Sequence, residues 1–281
     1  MKWFRLMGYV VVVLAALGSC QKTINDDLED VERLVVDGWI DSDGHPMVIL
    51  SRSFSPMNPD ATDLSDLVVR WAEVTISDGE REEVMIGRID RTLTPPFVYT
   101  TAEMTGESGR TYTIKASYGG KSVSAQCTMP VPPEIERVEV VPVPNSKDMR
   151  EIKVTFTPRP GGCYQLCVYD PEKGGRALPC FMGAYKAGGE ISGEVTLTAA
   201  RPKTETSQED YTPYYKAGSQ VMVILTATTP EVWRFWNQYD ELTAFGGNVF
   251  LAGAITLEGN VTGGYGIWNA RGVAAMRVAI E

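Results

Sequence analysis

The sequence predicts an all-β protein of two antiparallel β-sandwich domains, Ig-like or transthyretin-like, the second carrying one short helix. Three observations carry this. Short apolar runs alternate with polar residues between turn signals along most of the chain. The break Pro130-Val131-Pro132-Pro133 divides it, because three prolines in four residues cannot sit in a central strand. Only one segment has a clear helical period. With 43% hydrophobic residues among 281, the chain has the apolar material for two cores.

In chain order, Lys2 and Arg5 precede the apolar run Val10 to Leu17, a basic start and a hydrophobic stretch too short to span a bilayer. Leu17-Gly18-Ser19-Cys20 then has the spacing of a lipobox, so residues 1–19 are expected to be removed and Cys20 to carry a lipid. Removal takes two cations and changes the formal charge from -10 to about -12. Such an acidic body, with no Lys/Arg cluster, argues against nucleic acid as a partner. Residues 20–33, with Asp26, Asp27, Glu29 and Asp30, read as an acidic tether holding the body off the membrane.

The first sandwich is expected over residues 34–129. Leu34 to Ile40 and Met47 to Leu50 flank the turn Asp41-Ser42-Asp43-Gly44, and Trp71 to Ser77 alternates up to Asp78-Gly79. The clearest hairpin turns at Gly119-Gly120; counting outward pairs Ala116 with Val123, Ile114 with Ala125 and Tyr112 with Cys127, all facing a core. After the linker 130–133, residues 134–281 form the second sandwich, with strands at Ile135 to Val141, Glu151 to Thr157, Tyr164 to Tyr169, Cys180 to Tyr185, Glu194 to Leu197 and Gln220 to Thr228. The helix is predicted over 230–242. Thr229 can cap it, Pro230 suits its first position, and Val232, Phe235, Trp236 and Tyr239 make one apolar stripe read as core-facing. Two further strand-like runs follow, Val249 to Leu257 and Val273 to Ile280.

Chemistry-bearing residues are few. His45 is the only histidine and sits in a turn, so it reads as an exposed turn residue. Asp41, Asp43 and Gly44 resemble part of a calcium loop, but Arg52 stands where the closing acid belongs; no metal and no cofactor is expected. The glycines from Gly263 to Gly272 lack a following Gly-Lys-Ser/Thr and read as tight turns and close backbone packing. No pair of carboxylates is marked by spacing, so no catalytic residue is assigned. Of the cysteines beyond Cys20, Cys163 and Cys167 lie about 13 Å apart along one strand and cannot bond to each other. Cys167 and Cys180 flank a hairpin turn and are the candidate disulfide, with free buried thiols as the alternative. Trp233, off the helix stripe, and Tyr211, Tyr214 and Tyr215 in a nearby loop are the candidate contacts for a glycan or peptide ligand or a partner protein.

The order of Leu34 to Ile40, the Tyr112 to Pro130 hairpin, the aromatic segment Thr229 to Leu242, Gly246-Gly247-Asn248-Val249-Phe250 and Gly263 to Gly272 resembles a family of Bacteroidota outer-membrane lipoproteins carrying a domain of unknown function. Asn269-Ala270-Arg271 stands where members have further glycine or aromatic residues. The family's genes often sit beside TonB-dependent transporters, so the resemblance implies a non-enzymatic accessory of such a transporter in nutrient capture, lipid-anchored at the outer membrane and exposed at the cell surface or on the periplasmic face. A fimbrillin-like or adhesin subunit is the alternative, and a secreted hydrolase the third.

Overall fold

The computed structural model describes residues 32–53, 64–172, 174–190, 193–203, 211–244 and 257–281. The signal, Cys20, nearly all of the tether and the Val249 to Leu257 run except its last residue lie outside them. Among the described residues the fold is all-β with one α-helix. Its longest sheet has the order β12 (Leu178–Lys186), β11 (Cys163–Tyr169), β15 (Gln220–Thr228), β17 (Tyr265–Ala279), β1 (Leu34–Asp41), β2 (Met47–Arg52), β6 (Phe97–Thr100), β5 (Ile86–Ile89). A second sheet runs β16 (Val261–Thr262), β8 (Lys121–Thr128), β7 (Thr111–Tyr118), β3 (Glu73–Ser77), β4 (Glu82–Val84). In the third, β10 (Met149–Phe156) pairs with β13 (Val195–Thr198), β14 (Tyr215–Lys216) and β9 (Arg137–Pro142).

Two large cores result, each between the long sheet and one smaller sheet, and Ile49, Leu93 and Val98 form a third, smaller cluster. The first gathers Leu34, Val36 and Ile40 of β1, Val74 and Ile76 of β3, the inward residues of the β7–β8 hairpin, and Trp268. The hairpin register is the one counted from Gly119-Gly120, and Cys127 is buried in this core. The second gathers Ile152, Val154 and Phe156 of β10, alternate residues of β11 and β15, and Val278.

The boundary at 130–133 does not separate two self-sufficient halves. β17 is a single 15-residue strand that pairs in parallel with β1 through residues 265–271 and antiparallel with β15 through residues 272–279. The first sandwich therefore borrows residues 261–271 from the C-terminal end. β17 lies directly on its neighbours: a Cβ on Gly266 would collide with the carbonyl of Val36, and one on Gly272 would fall 2.6 Å from Pro130 O. The glycines thus provide the expected close packing, but inside a strand. Residues 32–281 form one compact unit with its own cores.

The helix, α1, spans Pro230–Ala244 and packs on β12, β11 and β17. Trp233 N donates to Thr229 O at 2.9 Å, closing the first turn. Val232 is buried in the first core, whereas Phe235 and Trp236 are only half-buried, so the apolar stripe is not wholly core-facing.

Candidate functional site

The half-buried part of that stripe faces a cavity of about 340 Å³ on the outer face of the long sheet. Val35 and Asp37 of β1 with Gly266 and Ile267 of β17 make its floor, Phe235, Trp236, Tyr239 and Asp240 of α1 one wall, and Arg176, Leu178, Pro179 and Phe181 with Pro202 and Lys203 the other. The sequence builds the floor by alternation: in β1 the even positions enter the core, which turns Val35, Asp37 and Trp39 outwards beneath the helix. The rings lock one another edge to face, with Phe235 to Trp236 at 5.2 Å and Trp236 to Tyr239 at 5.8 Å between centroids.

Two polar features interrupt the apolar lining. Arg176 grips both carboxylate oxygens of Asp37 through its two terminal nitrogens and lies over the Trp39 ring at 4.8 Å. That fork fixes the guanidinium across the cavity's edge. Asp240 is buried, and its carboxylate accepts the backbone N–H of Met182. Met182 has φ +56° in a β12 bulge, where the register with β11 shifts between Gln165 and Cys167. The bulge turns a backbone donor away from the ladder and towards the helix.

Burial pushes the Asp240 carboxyl up to about 6, against the pull of the Met182 N–H. A folded-state value above the unfolded one means that the native protein holds the extra proton between about pH 4 and 6. The group's contribution to stability is therefore greatest below about pH 4 and is lost as pH rises towards 6, a swing of at most about 3 kcal/mol. Asp240→Asn keeps an oxygen for Met182 and should raise stability at pH 7 by about 2 kcal/mol, after the cost of burying the amide. Urea unfolding at pH 4 and pH 7 checks this: the variant should lose the fall that the parent shows over that interval, and a variant less stable than the parent at pH 7 would refute the assignment.

The residues singled out from sequence fall elsewhere. Cys167 and Cys180 lie on opposite faces of the sheet: Cys180 joins the second core with Leu166 and Val168, while Cys167, opposite Pro179 in register, faces the other way. No disulfide links them, and all four described cysteines are buried free thiols. Burial pushes Cys167 up to about 11 and Cys180 well above the ordinary thiol value, so neither is a thiolate nucleophile. Trp233 is half-buried under the Lys186 ammonium, 5.3 Å from its ring, and does not line the cavity. Tyr211 donates to Arg201 O at 2.7 Å and meets Phe181 edge-on. Tyr215 is a buried strand residue of the second core, so it is no exposed platform; Tyr214 is half-buried beside it. His45 is exposed in its turn, with Nδ1 3.1 Å from Met104 O. Asp41, read as a hairpin-turn residue despite its resemblance to part of a calcium loop, is engaged by Arg271. Among the described residues no group of three or more His, Cys, Asp or Glu gathers to hold a metal, and no helix is long and apolar enough to cross a membrane.

A family model described as "Domain of unknown function (DUF4249)" matches residues 21–276, nearly the whole chain. The chain belongs to the DUF4249 family. No protein of curated function matches it in sequence. The DUF4249 match runs through both sandwiches and includes every wall of the cavity, so the helix, the β12 bulge and the long β17 lie within one family unit rather than in separate modules. Sequence reasoning missed Asp37, Arg176, Phe181 and Asp240. One signal was available: Asp240 follows Tyr239 directly at the inner side of an aromatic stripe, where a carboxylate is uncommon.

Proposed function

We propose that this protein is a lipid-anchored, non-enzymatic accessory of a TonB-dependent transporter, held at the outer membrane through Cys20 and exposed at the cell surface, and that it captures a small ligand for uptake. The observation that carries the capture is the cavity walled by Phe181, Phe235, Trp236 and Tyr239, a rigid aromatic pocket with few polar groups at its edge. The lipobox and acidic tether support the anchoring, and the resemblance to Bacteroidota lipoproteins supports the transporter as partner. Binding is favoured over catalysis because, among the described residues, the cavity's two carboxylates are engaged, Asp37 by Arg176 and Asp240 by Met182, and its lining offers no Ser, Cys or His. A fimbrillin-like subunit would need a removable end strand; β17 lies between β15 and β1 rather than at an edge, which gives that reading no support.

Purification of the tagged full-length protein from its native membrane in gentle detergent tests the proposal. A large β-barrel protein should accompany it in stoichiometric amount. A ladder of self-multimers, or a lone monomer, would overturn the accessory role.

A further inference from the structure

Among the described residues only three tryptophan, tyrosine or phenylalanine side chains are exposed: Trp71 at 89%, Tyr265 at 53% and Tyr118 at 37%. All three lie at one end of the first sandwich. Tyr118 closes β7 at the Gly119-Gly120 turn, opposite Lys121. Trp71 precedes β3, whose first residue, Glu73, pairs with Ser117 beside that same turn. Tyr265 opens β17 opposite Val35, near the start of β1. Every other described ring of these types is buried or half-buried, so the gathering of the three at one end marks an interaction surface.

The acidic tether joins the body at this same end. Glu32, just ahead of β1, accepts from Lys121 at 2.7 Å and from Arg52 at 3.0 Å, and the Arg33 guanidinium lies over the Tyr265 ring at 5.3 Å. Contacts therefore run from Tyr118 through Lys121, Glu32 and Arg33 to Tyr265, with the last tether residues in the middle. Cys20 is twelve residues ahead of Glu32, a length of chain that reaches at most about 40 Å. A lipid on Cys20 thus keeps the three rings near a bilayer. The opposite end, where Ser108 is exposed in the turn before β7, lies a strand's length of about 25 Å away from them.

The chemistry of this end suits lipid better than protein. Tryptophan and tyrosine join an apolar ring to a polar tip and settle at the headgroup level of a bilayer. A protein partner buries a continuous apolar centre and keeps charge to its rim, whereas here charged residues stand between the rings. Net charge does not select the surface either, since Arg33 and Arg70 are exposed beside Asp66 and Glu73. Three rings bind a membrane weakly from solution, but attachment at Cys20 makes the contact intramolecular and raises its effective concentration.

We propose that this end of the protein rests on the lipid surface, with Trp71, Tyr118 and Tyr265 in the headgroup region around the base of the tether, so that the body holds one orientation on the membrane. This rests on the lipid anchor of the function proposed above and adds the face on which the body sits.

The test uses the acylated protein extracted from its native membrane and reconstituted into phosphatidylcholine vesicles, with or without phosphatidylcholine brominated near the top of its acyl chains as a contact quencher of tryptophan. The protein should float with the vesicles and lose emission to the brominated lipid. Trp71→Phe should remove at least about two thirds of that quenching, because Trp39, Trp233, Trp236 and Trp268 are buried or half-buried. Tyr118→Ser combined with Tyr265→Ser leaves Trp71 in place and should reduce its quenching about twofold, and added salt should leave it unchanged. Ser108→Trp in the Trp71→Phe background places a reporter at the opposite end and should be quenched no more than Trp71→Phe alone. Equal quenching of Trp71 and of the Ser108→Trp reporter would mean a freely turning body and overturns the docking. Absence of Trp71 quenching in protein that floats overturns it too and leaves the anchor standing; shielding of Trp71 from acrylamide would then assign this end to a co-purifying protein, or to a second copy if it grows with protein density. Protein that does not float overturns both.

Discussion

Replacing Trp268 by Ala is expected to destabilise the protein by about 5 kcal/mol, a large part of the total stability of a domain this size. Trp268 is fully buried in the first core, yet it is contributed by β17, near the far end of the chain. Its indole N–H donates to Tyr112 O at 3.0 Å, so the side chain fastens β17 to the β7–β8 hairpin across the sandwich. Its backbone is held on both sides by Asn260, whose amide accepts from Trp268 N and donates to Trp268 O, each at 2.8 Å. The ring also lies on Gly38, where a Cβ would come within 2.8 Å of it, so no larger residue of β1 can refill the space. Truncation therefore leaves both a cavity and a buried acceptor without its donor. Trp268→Phe retains most of the volume and should lose about 2 kcal/mol. Urea unfolding followed by circular dichroism measures both. The loss should appear in one cooperative transition, because β17 belongs to both cores; a loss under about 1 kcal/mol for Trp268→Ala, or a transition split in two, would mean that the first sandwich does not depend on its borrowed strand.

Why β17 was half-hidden in the sequence follows from its place. Alternation is readable when one face of a strand is wet, as in β7 and β8, where Tyr112, Ile114 and Ala116 face the core and Lys115 and Ser117 do not. Tyr265 to Ala270 is covered on both sides along much of its length and carries glycine where the backbone of β1 approaches, so its pattern resembles a loop and only Val273 to Ile280 reads as a strand. β5 fails for the opposite reason: all four of its residues are exposed at a sheet edge, and neither Ile86 nor Ile89 points into a core. The helix was legible because Thr229, Pro230 and Glu231 act locally.

The candidate site was legible only in fragments. Its walls come from positions 35–37, 176–181, 202–203, 235–240 and 257–267, which no local period connects. Aromatic residues in α1 imply burial, but Phe235, Trp236 and Tyr239 line a cavity beside the β12 bulge, where Met182 adopts a conformation its residue type disfavours. The tyrosines of 211–215 attract notice in the sequence because three rings fall together, yet pairing of Tyr215 with Arg150 in β14–β10 turns one of them inwards. The disulfide expectation failed through register: Cys167 pairs with Pro179, and an offset of one residue puts Cys180 on the opposite face of the sheet.

Asp41 and Arg271 make the second strong prediction. They stand opposite each other in the parallel β1–β17 pairing, at the point where β17 leaves β1 for β15. The Asp41 carboxylate accepts from Nε and Nη2 of Arg271, and Ser42 continues the clasp, its N–H donating to Arg271 O at 3.0 Å and its hydroxyl accepting from Val273 N at 3.0 Å. Exposure of the two side chains is unequal, 12% for Arg271 against 32% for Asp41. Burial works against the guanidinium's charge, and the Asp41 carboxylate more than restores it. Removing the two partners must then have unequal consequences. Asp41→Asn keeps the shape but strands a buried cation and should lose about 3 kcal/mol. Arg271→Met leaves a carboxylate that water still reaches and fills the space with a flexible apolar chain, so its loss should be nearer 1 kcal/mol. The double variant, with no buried charge remaining, should be no worse than Arg271→Met alone, a coupling of about 3 kcal/mol in the cycle. Denaturant midpoints of the four proteins decide it. Additive losses would place the two charges in solvent and leave the handover of β17 to its backbone alone, whereas the expected asymmetry would make Arg271 the pin that holds β17 where the two sandwiches meet.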